Sequence, residues 1–184
     1  MHHDDRGFQR RGRGYKSFAA RRTIGTSDPR MVEEVMSTNN RGASHLNATV
    51  LGNKRVGQYH QILLGVGDLV KSCRPGNFVA IKVGGDTSRM VLRRAFAISR
   101  VAESASFGGT MELIVAPHGS GSQWLCSQPE GAEVDIVAPL GTAFGIPTTP
   151  VNALLVGGGY GSAPLFGLAE VLKSRGCKVD MLLG

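Results

Sequence analysis

The chain has 184 residues, 41% of them hydrophobic and 19% charged, with a formal net charge of +7. That is ordinary globular composition, with enough chain for one domain or two small ones. No run approaches the ~18 apolar residues that span a membrane. Three scattered cysteines, Cys73, Cys126 and Cys177, form no C-x-x-C pair and suggest no disulfide framework.

The charge is uneven. Residues 1–45 carry nine Lys/Arg against five Asp/Glu, and the rest carries twelve against nine. The N-terminus is basic but lacks the apolar core of a secretory signal. A reducing cytoplasm is the expected compartment. Residues 6–22 are rich in Arg and Gly with little hydrophobic periodicity, so residues 1–45 read as a disordered basic extension. The run Arg11-Gly12-Arg13-Gly14-Tyr15 is similar to an Arg/Gly nucleic-acid tail. Met31 and Met36 are both plausible alternative starts, because patterned sequence begins just after them.

From residue 46 the grammar is that of short strands. Runs at 46–50, 59–66, 77–83, 96–101, 111–117 and 133–138 are rich in Val, Ile and Leu and are separated by Gly, Pro, Asn and Asp. Six such strands predict a small antiparallel barrel or sandwich. Residues 120–127 read as a short helix between the last two. After Pro147 and Pro150 the pattern becomes β-α-β. A strand at 153–156 leads to a glycine loop at 157–161. A helix follows at 162–173 with Leu165, Leu168, Ala169 and Leu172 on one face, and then a strand at 179–183. The chain stops after that single unit, so the reading expects an incomplete α/β domain over 151–184. Such a unit is expected to expose the apolar face of its helix and a raw sheet edge, with poor solubility as the result.

Four constellations carry the chemistry. In Val91-Leu92-Arg93-Arg94-Ala95-Phe96-Ala97-Ile98-Ser99 an Arg pair leads into a strand. A guanidinium fixed there can clamp a phosphate, and an aromatic residue two positions on can cover a ring. In Pro117-His118-Gly119-Ser120-Gly121-Ser122 small residues open a helix, as an anion site does. His118, in a loop with no carboxylate or Cys at hand, reads as structural or solvent-exposed. Ala138-Pro139-Leu140-Gly141-Thr142-Ala143-Phe144 is a sharp turn after the last barrel strand. Finally, Gly157-Gly158-Gly159-Tyr160-Gly161-Ser162-Ala163-Pro164 lies between a strand and a helix, the context of a dinucleotide loop. It departs from G-x-G-x-x-G in having Ser162 at the third glycine position.

In this order the four constellations resemble the ferredoxin–NADP reductase superfamily. Within it, residues 92–98 and 157–164 most resemble the electron-transfer subunits of bacterial dihydroorotate dehydrogenase B. The resemblance covers about residues 46–184. It implies an antiparallel FAD-binding β-barrel domain over 46–148, followed by the start of an α/β nicotinamide-binding domain over 151–184. It places the FAD pyrophosphate on Arg94 and the isoalloxazine along Ala95, Phe96 and Ala97. Ile114, Val115 and Ala116 run beside the flavin, and Gly121 and Ser122 lie at its phosphates. Gly158, Gly159, Tyr160 and Gly161 form the loop over NAD(H). Ala97 stands where the family usually has a hydroxyl residue, so a side-chain hydrogen bond to the flavin is lost. No residue is assigned as catalytic and none as a metal ligand.

The implied activity is NAD-linked oxidoreductase electron transfer in pyrimidine biosynthesis. FAD exchanges electrons through a [2Fe-2S] cluster with the FMN of a dihydroorotate dehydrogenase catalytic subunit, in a two-plus-two assembly. The family's cluster needs four closely spaced cysteines, and this chain ends before them. Two alternatives are kept. One is the flavin subunit of another reductase of the superfamily, such as a hydrogenase or transhydrogenase. The other is a non-catalytic nucleic-acid-binding protein acting through the Arg/Gly tail, which predicts salt-sensitive RNA binding.

Overall fold

A computed structural model describes residues 42–85 and 88–184. The Arg/Gly run and the rest of the expected extension up to residue 41 lie outside the described residues. Among the described residues eight strands and two helices are formed: β1 (Ser44–Val56), β2 (Tyr59–Gly65), β3 (Phe78–Ile81), β4 (Arg94–Ser104), β5 (Gly108–Val115), α1 (Ser120–Cys126), β6 (Glu133–Leu140), β7 (Asn152–Gly157), α2 (Ala163–Ser174) and β8 (Lys178–Leu183). Short 3-10 turns at Gly67–Ser72 and Gly159–Ser162 complete the set.

Strands β1 to β6 close into an antiparallel barrel in the order β1-β2-β5-β4-β3-β6. Period-2 alternation sends Val50, Ile62, Leu64, Val79, Ile81, Met111, Leu113, Val134 and Ile136 inward, each at most 1% exposed. Each such side chain contributes about 1.5–3 kcal/mol by leaving water. Leu125 of α1 is buried with them. The barrel begins earlier than the sequence reading expects. Ser44 and His45 pair with Ala138 and Val137 of β6, and His45 Nε2 lies 2.6 Å from Asp135 Oδ1. Closure against β6 therefore recruits two polar residues that carry no hydrophobic signal of their own.

β4 departs from simple alternation. Ile98 pairs with Leu113 and Arg100 with Glu112, so Ser99 is the extra residue of a β-bulge. Ile98 and Val101 pack with the barrel core, while Ser99 and Arg100 both turn outward to α2.

β7 and β8 pair in parallel, and α2 covers one face of the pair. Leu165, Leu168 and Leu172 pack there against Ala153, Leu155, Val179 and Met181. The expected bare helix face is thus covered, because the alternate residues of both strands face it. The uncovered apolar surface is the other face of the sheet, where Leu154, Val156 and Leu182 are 61%, 68% and 59% exposed. The opposite stripe of α2 (163, 166, 167, 170) meets the barrel, following the i, i+3, i+4, i+7 spacing of a helix face. Gly167 allows this: a Cβ there would lie 2.7 Å from the Ser99 carbonyl oxygen. Among the described residues no helix is long and apolar enough to cross a membrane.

Candidate functional site

The start of β4, the end of β5, the first turn of α1 and the loop after β7 meet around a cleft of about 340 Å³. One wall is Ala95, Phe96 and Ala97, and its neighbour is Ile114, Val115 and Ala116. His118, Ser122, Tyr160 and Gly161 complete the rim. Nine of the thirteen residues singled out in the sequence therefore line a single cleft. β4 and β5 are adjacent in the barrel, which is why segments nineteen positions apart in sequence form one surface.

The remaining four sit at its margins. Arg94 is exposed, and its Nη1 donates to the Leu92 carbonyl at 3.0 Å. Its side chain lies along the buried backbone of Gly121, where a Cβ would be 3.1 Å from Arg94 Cγ. Gly158 precedes the 3-10 turn in extended conformation, and Gly159 follows with φ +56°. The Gly159 amide donates to the Gly184 carbonyl at 2.6 Å.

The two arginines before β4 separate here. Arg93 Nη2 lies 2.8 Å from Asp135 Oδ1, and Arg93 Nη1 donates to the Asp135 carbonyl at 3.1 Å. Burial works against the Asp135 carboxylate. Hydrogen bonds from Arg93 and His45, with their charges, outweigh it and hold the group below its ordinary value of 3.8. Arg93 is thus committed to the barrel, and Arg94 is the one beside α1.

Ser122 caps its own helix: the Gly119 amide donates to Ser122 Oγ at 3.1 Å, and Oγ donates back to the Gly119 carbonyl at 3.0 Å. His118 is exposed, as its sequence reading expects, and it stands on the rim of the cleft. Its ring lies 6.2 Å from that of Tyr160, tilted by 58°. The two are the ionisable groups among the lining residues, one from the barrel loop and one from the loop after β7. The signal available in sequence was position, one residue before the small-residue turn that opens α1.

The cysteines stand apart. Cys73, Cys126 and Cys177 are each buried and unpaired by disulfide. Burial pushes the Cys73 thiol up to about 11 and raises that of Cys126 as well, which makes both poor nucleophiles. Among the described residues no three His, Cys, Asp or Glu side chains are grouped to hold a metal.

No known family model matches this chain. The electron transfer subunit of dihydroorotate dehydrogenase B (NAD(+)) from Fusobacterium nucleatum is 38% identical over 121 residues, 64% of this chain and 45% of the relative. The same subunit from Geobacillus kaustophilus is 34% identical over 139 residues, 74% of this chain and 52% of the relative. Among solved structures, the NADH-dependent reduced ferredoxin-NADP oxidoreductase studied for flavin-based electron bifurcation superposes with a TM-score of 0.64. That match has 26% identity and covers 74% of this chain and 48% of that one.

The fold is that of the ferredoxin-reductase-like flavoproteins. The closed six-stranded barrel, left open between sandwich and barrel by strand counting, is the element that decides it. The chain is similar in sequence to oxidoreductase subunits of the electron-transfer type, and it spans about half the length of the curated relatives it matches.

Proposed function

We propose that this chain binds FAD in the cleft between β4, β5 and α1, and that it exchanges electrons between the flavin and NAD(H). The convergence of nine sequence-selected residues on one cleft carries the proposal. Its volume of about 340 Å³ falls within the range of small-molecule sites, roughly 300–1,000 Å³. The residues present fit a flat ring with a charged tail. Ala95, Ala97 and Ala116 keep the walls low, and Phe96 supplies an apolar surface. At the far end, Arg94 lies beside a buried glycine that leaves its side chain room.

In this reading Arg94 holds the pyrophosphate, because a guanidinium is always charged and presents paired donors. Gly121 keeps the approach to α1 open, and Ser122 meets the phosphates by giving up one of its contacts with Gly119. The strand residues 95–97 and 114–116 hold the ring against the barrel and exclude water from it. Ala97 offers no hydroxyl, so hydrogen bonds from that strand come from its backbone. Gly158, Gly159, Tyr160 and Gly161 receive the nicotinamide cofactor over the open side. A bound flavin supplies the exchange between two-electron and one-electron carriers; the protein supplies position and electrostatics.

The names of the relatives extend the proposal to the whole protein. It works as an electron-transfer subunit beside a dihydroorotate dehydrogenase catalytic subunit; the described residues, with Cys73, Cys126 and Cys177 buried and ungrouped, do not fit a [2Fe-2S] cluster. The test is a titration of the purified full chain with FAD, followed by flavin absorbance and fluorescence. One equivalent bound with a Kd on the order of a micromolar or tighter is expected. A chain that stays colourless at high FAD concentration contradicts the reading.

A further inference from the structure

The segment of β4 that walls the cleft runs straight into the segment that holds α2. Residues 95–97 line the cleft. Ser99 and Arg100, just beyond them, face α2 because of the bulge. Ser99 is 3% exposed. Its Oγ lies 3.2 Å from the Ala163 carbonyl oxygen and 3.1 Å from Glu112 Oε1. Glu112 Oε2 in turn accepts from Gln61 Nε2 at 2.7 Å. Three adjacent barrel strands, β2, β5 and β4, are thereby linked by polar contacts that end on the first turn of α2. Ala163 is itself buried, and it follows Tyr160-Gly161-Ser162 directly in the chain. Tyr160 and Gly161 are the two residues of that loop at the cleft.

Two more contacts fix the helix one turn on. Arg100 Nε lies 2.8 Å from Glu170 Oε1, and the Arg100 guanidinium sits 5.6 Å from the centre of the Phe166 ring. Gly167 lets the backbone of α2 come down onto the Ser99 carbonyl. A buried hydroxyl is costly unless it is hydrogen-bonded, and this one has a single proton with two acceptors in reach. Its contacts are directional where a purely apolar seam would let the helix slide.

We infer that Ser99, held by Glu112, is the joint that sets where Tyr160 and Gly161 sit over the cleft. Ser99 is then a positioning residue for electron exchange between nicotinamide and flavin, since such exchange depends steeply on the separation and angle of the reacting groups. The exchange rests on the function proposed above; the joint does not.

Hydrogen–deuterium exchange of the full chain without cofactor tests the joint, with Ser99→Ala and Glu112→Gln as the variants. Exchange in peptides spanning 158–167 is expected to speed up about tenfold in S99A, and less in E112Q, with β1, β2 and β6 unchanged. In the double variant the two effects are expected to fall short of additive, because both enter the same contact. FAD affinity is expected to stay within about twofold in both variants, while flavin reduction by NADH slows about tenfold in S99A. If the parent chain takes up no FAD but the local exchange response is present, the flavin reading fails and the joint stands. Unchanged exchange over 158–167 in both variants, or an equal acceleration throughout the barrel, overturns the joint.

Discussion

The Arg94 side chain lies against the backbone of Gly121, so close that a Cβ on the glycine would stand 3.1 Å from Arg94 Cγ and 3.0 Å from Val83 Cγ2. Strand β4 and helix α1 therefore share one surface at the edge of the cleft, and the glycine is what lets them share it. Gly121→Ala is expected to displace Arg94 and weaken FAD binding about tenfold, with a stability loss of roughly 1–2 kcal/mol from overpacking. An FAD titration and a urea denaturation of the same variant measure the two effects separately.

The neighbouring arginines are expected to part company on substitution. Arg94→Ala should lower FAD affinity by about 10- to 100-fold, the loss of a charge-assisted contact of ~1.5–3 kcal/mol, with little change in folding stability. Arg93→Ala should leave FAD affinity near the parent value and cost about 1 kcal/mol of stability, because its contacts are with Asp135. Equal effects of the two on FAD binding would refute the division of labour.

Asp135 makes the barrel's stability depend on acid pH. Its pKa is held below the ordinary 3.8 in the folded protein, so the unfolded chain takes up its proton first as pH falls. The contribution is present in full above 3.8 and is lost as pH drops through the lower folded value. Asp135→Asn is therefore expected to be less stable than the parent at pH 7, and the gap should narrow as pH falls toward 2. Denaturation midpoints measured across that range follow it; a gap that widens in acid contradicts the assignment.

The uncovered face of the β7–β8 pair predicts association. Leu154, Val156 and Leu182 stand exposed side by side on two paired strands, and parallel sheets are normally covered on both faces. Leu154→Thr with Val156→Thr keeps strand propensity while removing apolar surface. The double variant is expected to bind less of a hydrophobic dye and to stay monodisperse at a several-fold higher concentration, as light scattering would show.

The alternation of buried and exposed residues made most strands legible, because a half-buried strand writes its period directly into the sequence. The cleft was legible for a different reason: Ala95 through Ala97, Ile114 through Ala116, Ser122 and Tyr160–Gly161 lie in motifs whose order resembles a known family. Three features were hidden. Ser44 and His45 join β1 through pairing with β6, a long-range cause that polar residues do not signal. The bulge at Ser99 shows only once β4 is laid beside β5, since Ile98-Ser99-Arg100-Val101 looks like any strand. The second face of α2, Ala163, Phe166, Gly167 and Glu170, mixes small, aromatic and charged residues and has no hydrophobic period to read. The exposure of His118 was legible, but its neighbour Tyr160 was not, because Tyr160 is 42 residues away in sequence.

Chemical-shift mapping of the nitrogen-15-labelled full chain, with FAD added stepwise, tests the central claim most directly. The account predicts that the largest changes fall on Ala95, Phe96 and Ala97, on Ile114 to Ala116 as a strand, and on Gly121 and Ser122, with smaller ones at Tyr160 and Gly161. Shifts confined to surfaces away from this cleft, or no shifts at millimolar FAD, would contradict it.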